Sequence, residues 1–160
     1  MALRKPIVQV GGEFQQLQAG DTLDAPQSGG DDFVLTNDES GAVVIGAPVY
    51  IDANDGFKKA KADASATSKF FGLAVNTSTA AAGQTPVRTS GVLTATTTQW
   101  DAITGGSGGL TAGTLYFLSA ATAGLLTTTA PSTVGQYVVE VGMALSTTEM
   151  LIRPRARILL

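Results

Sequence analysis

Two adjacent acid pairs, Asp31-Asp32 and Asp38-Glu39, flank the short apolar run Phe33-Val34-Leu35-Thr36. Paired carboxylates can share acid and base roles at a glycosidic bond, or ligate calcium. These pairs lack the spacing of a calcium loop, and solvation in a loop is the better reading. Glu140 sits in an apolar run and needs either a partner or an outward face. Thr104-Gly105-Gly106-Ser107-Gly108-Gly109 matches a phosphate loop in glycine content only. No Lys-Ser/Thr follows it, so it reads as a connector. Trp100 is the single tryptophan. It suits a plug of the core better than a platform for a sugar ring. Tyr50, Tyr116 and Phe117 lie within strand-like runs and read as core or half-core.

The chain has neither histidine nor cysteine. That removes imidazole bases and ligands, thiolate nucleophiles, zinc-thiolate sites and disulfides. No specific catalytic, metal or cofactor motif remains. The expectation is a non-enzymatic protein without a cofactor.

The elements that would carry these residues are short. Thr and Val favour strands, and 19 glycines punctuate them across 160 residues. Pro6 to Val10 reads as an arm or first strand, and Glu13 to Gln18 as a weaker one. Thr22 to Asp32, with Pro26, Gly29 and Gly30, is a loop. Val49 to Ile51 and Phe57 to Lys61 form a hairpin around Ala53-Asn54-Asp55-Gly56. Its second strand carries enough lysine to suit a sheet edge. Lys69 to Val75 is a strand, and Pro86 to Thr94 another, bent at Gly91. Thr96 to Ile103 is the one good helix candidate, capped by Thr97 or Thr98. Thr114 to Ser119, Leu125 to Thr129, Gln136 to Leu145 and Glu149 to Arg153 complete the strands. Gly142 marks a bulge or a close approach. Pro154 makes the following residues an edge or an arm.

Part of this pattern occurs twice. Residues 40–52 align without a gap on 107–119. Residues 71–77 then match 141–147, with Phe71-Gly72-Leu73-Ala74 on Val141-Gly142-Met143-Ala144, and Pro86-Val87-Arg88 loosely matches Leu151-Ile152-Arg153. Apolar and turn positions recur while reactive side chains do not, which points to a scaffold. The expected fold is all-β: a compact, pseudo-duplicated sandwich or barrel of short antiparallel strands, with one short helix and extended terminal arms. Residues 1–32 form the N-terminal arm and loop. Residues 33–160 form the body, with modules at about 40–95 and 107–160.

The formal net charge is −3, unevenly spread. Arg4 and Lys5 stand near the start. Every charged residue from Glu13 to Phe57 is acidic. Lys58, Lys59, Lys61 and Lys69 follow, and Arg153, Arg155 and Arg157 lie near the end. Two readings stand: solvated termini pairing with the acidic stretch, or arms that dock on an acidic partner. Nucleic acid is not an expected partner, because there is no broad basic face interleaved with aromatics. No run is long and apolar enough for a bilayer, so no membrane is expected either. The N-terminus lacks the apolar core of a signal peptide, so synthesis is expected in a cytoplasm.

Several phrases resemble tailed-bacteriophage virion proteins. They are Met1-Ala2-Leu3-Arg4-Lys5-Pro6, Gln16-Leu17-Gln18-Ala19-Gly20-Asp21-Thr22-Leu23, the run from Gly108 to Ser119, and the run from Gly135 to Ser146. Similar words occur in capsid decoration (cement) proteins and in β-rich domains of tail fibres. A compact chain with sticky termini and no shaft-like repeat suits the former. The resemblance implies a decoration protein on the capsid exterior, made in the bacterial cytoplasm and bound to the major capsid protein. It also implies self-association as a homotrimer, or failing that a dimer. The contact residues expected on the arms are Arg4, Lys5, Ile7, Val8, Val10 and Phe14, with Arg153, Arg155, Arg157, Ile158 and Leu160. Arg155 and Arg157 would pair with capsid acids, or with Asp31 and Asp32 of a neighbouring copy. The alternative is a short fibre or host-surface module that binds a glycan through Trp100 or Asp31/Asp32.

Overall fold

Strands form where apolar residues alternate with polar or half-buried ones, and the inward set of each strand meets at one core. The structure, a computed structural model, describes residues 7–10, 13–16, 31–52, 56–78 and 82–160. The hairpin of β1 (Ile7–Val10) and β2 (Glu13–Gln16) is a two-stranded sheet of its own, with Ile7 opposite Gln16 and Val10 opposite Glu13.

A closed five-stranded barrel follows. It is built from β3 (Asp32–Asn37), β4 (Pro48–Ile51), β5 (Gly56–Lys59), β6 (Phe70–Ala74) and β7 (Gln84–Arg88), in the order β3-β5-β4-β6-β7. β3 closes it by pairing antiparallel with β7 and parallel with β5, where Thr36 meets Gly56 and Asn37 meets Phe57. One junction is therefore parallel in a set of strands expected to be antiparallel. Closure also overturns the edge position expected for β5. With partners on both sides it has no free edge, and Phe57 is fully buried while its lysines are half-buried. The turn residues 53–55 lie outside the described residues.

The chain leaves the barrel at Thr89 and enters a second sheet. Residues 86–94, expected as one bent strand, are two strands in different sheets, and Gly91 opens the second with φ +82°. This sheet contains β8 (Gly91–Thr94), β9 (Leu115–Leu118), β10 (Leu126–Thr127), β12 (Glu140–Ala144) and β13 (Glu149–Ile152), in the order β10-β9-β12-β13-β8. β11 (Tyr137–Val138) pairs instead with β14 (Ile158–Leu159) at the C-terminus. The residue between β11 and β12, Val139, is buried and interrupts the long strand expected from 136 to 145. The protein is all-β but for α1 (Thr97–Thr104).

The two sheets repeat one plan. β5-β4-β6-β7-β3 corresponds, strand for strand, to β10-β9-β12-β13-β8. Pro48 faces Leu73, Val49 faces Gly72, and Tyr50 faces Phe70 after a register shift. Leu115 faces Met143, Tyr116 faces Gly142, and Phe117 faces Glu140 after the same shift. These are the positions that align in sequence. The next pairing differs by two residues: Ala74 meets Val87, whereas Ala144 meets Met150 rather than Ile152. A slip of two keeps every inward side chain inward.

The plan diverges at closure. The second sheet stays open, and α1 follows β8 directly where the first half has its parallel junction. Thr96 caps α1 by accepting from Gln99 N–H, while the Gln99 side chain accepts from Thr96 N–H, one residue before the cap expected from sequence. Trp100 and Ile103, on the inner face of α1, are buried in the core. Apolar residues of both halves belong to that one core. Main-chain bonds cross between the halves, from Ala62 N to Ser119 O and from Tyr137 N to Ala62 O.

Candidate interaction surface at the C-terminal end

The C-terminal segment, expected to be an extended arm, runs along the body. β14 pairs with β11 and Leu160 N–H donates to Gln136 O, because this backbone meets a strand with unused groups on its outer side. The side chains behave differently. Ile158 and Leu159 are each 60 % exposed, and the neighbouring Val134 is 88 % exposed. Leu160 is also exposed. Together they form an apolar ribbon on the surface.

Basic residues border it. Glu140 has the partner that its place in an apolar strand demands: Arg155 Nε donates to its Oε1 at 3.2 Å, and Arg153 lies 3.7 Å away. Two guanidinium groups thus share one carboxylate. Arg157 has no carboxylate partner among the described residues. Its Nη1 donates to Ser65 O and to Ser68 Oγ, and its Cζ lies 5.3 Å from the centre of the Tyr137 ring. Lys69 makes no ion pair among the described residues. Sequence reasoning named the three arginines and missed Lys69 as their neighbour. The bonds of Arg155 to Glu140 and of Arg157 to Ser68 create that proximity, and no local pattern encodes it.

The N-terminal half of the expected contact set is less fully drawn. Arg4 and Lys5 lie outside the described residues. Ile7, Val8 and Val10 stand in β1 and Phe14 in β2, where the backbone pairing alone is described.

The residues with catalytic potential are committed elsewhere. Asp32 forms a two-pronged ion pair with Arg88: Nε to Oδ1 at 2.7 Å and Nη2 to Oδ2 at 2.8 Å. Arg88 Nη1 also donates to Val92 O, which fastens β7 to β8. Its bonds to Asp32 raise the Arg88 pKa above its ordinary value. Asp32 is therefore not available to a neighbouring copy in the way expected from sequence, because a buried guanidinium in its own chain already holds it. Glu39 accepts from Lys59 N–H at 2.7 Å. Trp100 is fully buried and its Nε1 donates to Thr148 O, so it offers no sugar platform. The glycine-rich segment after α1 is tied down, since the Asp101 carboxylate accepts from Gly108 N–H and Gly109 N–H at 3.1 and 2.7 Å. Asp101 was not singled out in the sequence. Its one visible signal is an acid four residues before a glycine that ends a helix. Tyr116 is buried, with its hydroxyl accepting from Thr111 N–H. Tyr50 and Phe117 are half-buried. Burial, reinforced by the nearby Asp52 charge, raises the Tyr50 pKa.

Among the described residues no group of three acids could hold a metal ion. No helix there is long and apolar enough to cross a membrane. No protein-family model, curated protein or solved structure gives a significant match to the chain.

Proposed function

We propose that this chain is a structural protein of a tailed-phage virion that binds the capsid exterior and bridges neighbouring subunits of the major capsid protein. One observation carries the reading. One surface that the body leaves exposed is the apolar ribbon of Val134, Ile158 and Leu159, with Arg153, Arg155 and Arg157 in the same C-terminal segment; Phe33 and Val34 are exposed elsewhere. An apolar centre with a charged rim is the anatomy of a protein interface. The sequence phrases that resemble phage virion proteins agree with it. In this reading the barrel and sheet form a rigid cap. The β1–β2 hairpin and the C-terminal ribbon make the contacts, and several copies act as a homotrimer. Many such contacts add by avidity, so each can be weak.

The test is the copy number of the chain in purified virions, measured by quantitative mass spectrometry against the major capsid protein. Decoration requires a simple, high ratio to the capsid protein. A handful of copies per particle would sink the reading in favour of a tail or fibre component. Removing residues 2–14 should leave the body folded by circular dichroism and abolish capsid binding. Wild-type occupancy by the shortened chain would remove the hairpin from the mechanism.

A further inference from the structure

A cleft of about 160 Å³ opens between residues 68–70 and 154–157. Lys69, Arg155 and Arg157 reach its wall, Ser68 adds a hydroxyl, and Phe70 and Val139 supply apolar surface. Among the described residues the sole carboxylate paired with any of these cations is Glu140, which Arg153 also shares. The cleft is therefore under-neutralised within its own chain, although the chain as a whole is acidic.

Arg157 is already oriented. Ser65 O and Ser68 Oγ hold Nη1 and the Tyr137 ring lies against the guanidinium plane, so Nε and Nη2 are left without a partner among the described residues. A guanidinium fixed on one side and free on the other matches the two oxygens of a carboxylate. Lys69 adds an unpaired ammonium to the same wall.

We infer that this cleft receives an aspartate or glutamate side chain from a second copy of the chain, and that Asp31 supplies it. Charge complementarity within the sequence selects the occupant. Every charged residue from Glu13 to Phe57 is acidic. Of the acids flanking β3, Asp32 is held by Arg88 and Glu39 by Lys59 N–H, and the Asp38 carboxylate packs against Gly56 of its own chain. Asp31 is exposed, and its carboxylate has no hydrogen bond or ion pair among the described residues. This deepens the proposed function by naming what joins neighbouring copies, but its test needs no capsid.

Sedimentation velocity of the full-length protein at low and moderate salt is the experiment. The wild type self-associates, and association weakens as salt rises. D31K and K69D each raise the dissociation constant by about tenfold or more. The double variant D31K/K69D, with the charges exchanged, recovers much of the loss. The Lys69 side chain makes no hydrogen bond or ion pair among the described residues, so K69D stays folded by circular dichroism, whereas R157E also removes a structural contact. A wild type that stays monomeric throughout overturns the inference. So does unchanged association of K69D or D31K, or a double variant no better than the singles. If the single variants self-associate normally yet fail to coat capsids, the cleft takes a capsid acid. The inference then falls while the decoration reading stands.

Discussion

Trp100 shows how one side chain can join two halves. It is fully buried, its indole donates to Thr148 O, and Gly46 is left without a side chain where the ring passes: a Cβ there would lie 2.9 Å from it. Trp100→Ala should cost about 3–5 kcal/mol, because the surrounding strands cannot collapse into the space. A urea midpoint close to wild type would contradict this packing. Asp63 makes a subtler prediction. Its bond from Lys61, at 2.7 Å, and a second from the Thr67 hydroxyl lower its pKa below the ordinary 3.8. A carboxyl with a lowered folded pKa stabilises the fold fully above its ordinary value, and loses that effect as pH falls through the lowered one. The Asp63→Asn variant should therefore flatten the stability curve only on the acid side of the ordinary value. The change should be small, since Asp63 is partly exposed and solvent screens the pair. Chemical denaturation across that acid range, wild type beside variant, checks it. A difference that persists unchanged below the lowered pKa would rule out this linkage.

At the scale of elements, the glycine in the third strand of each repeat follows from pairing geometry. A Cβ on Gly142 would lie 2.2 Å from Leu151 O, and one on Gly72 would lie 2.4 Å from Arg88 O. The strands approach closely beside a bulge in both halves. Gly142→Ala should therefore cost more than about 1 kcal/mol, the ordinary price of neither propensity nor surface change. Alanine at Gly113, where a Cβ meets nothing within 4 Å, would cost mainly its positive φ of 78°. Comparing the two midpoints separates crowding from backbone strain. If Gly142→Ala proves the milder of the two, the close approach is not limiting. Much at this scale was legible. Strand positions and the close approach at Gly142 followed from alternation and glycine placement, and the helix was displaced by a single residue at its cap. The division of 86–94 between two sheets was not legible, because Gly91 signals a bend but not which sheet the chain joins after it.

Across the whole molecule, the two halves have one core and exchange main-chain hydrogen bonds, so neither has its own complete interior. Thermal unfolding should be one cooperative transition, and a fragment of residues 31–90 alone should not fold. Two calorimetric transitions, or a folded fragment, would show that the halves are independent. The candidate surface belongs to this scale too. Arg153, Arg155 and Arg157 could be named from the chain end, but their state could not. Arg155 shares Glu140 with Arg153, while Arg157 keeps two nitrogens without a partner among the described residues, beside Lys69.

By itself the sequence determined the all-β class, the single helix, the recurrence of one strand pattern and the lack of imidazole and thiol chemistry. These rest on residue identity and on spacings of a few residues, which local sterics and burial translate directly into strands and turns. Tertiary structure alone decided that the first repeat closes into a barrel through a parallel junction while the second stays open beside α1. It also decided that Arg88 holds Asp32, 56 residues away, while the neighbouring Asp31 carboxylate has no partner among the described residues. Such pairings depend on which chain ends meet in space, and the free energy that selects them comes from the shared core rather than from any neighbouring residue.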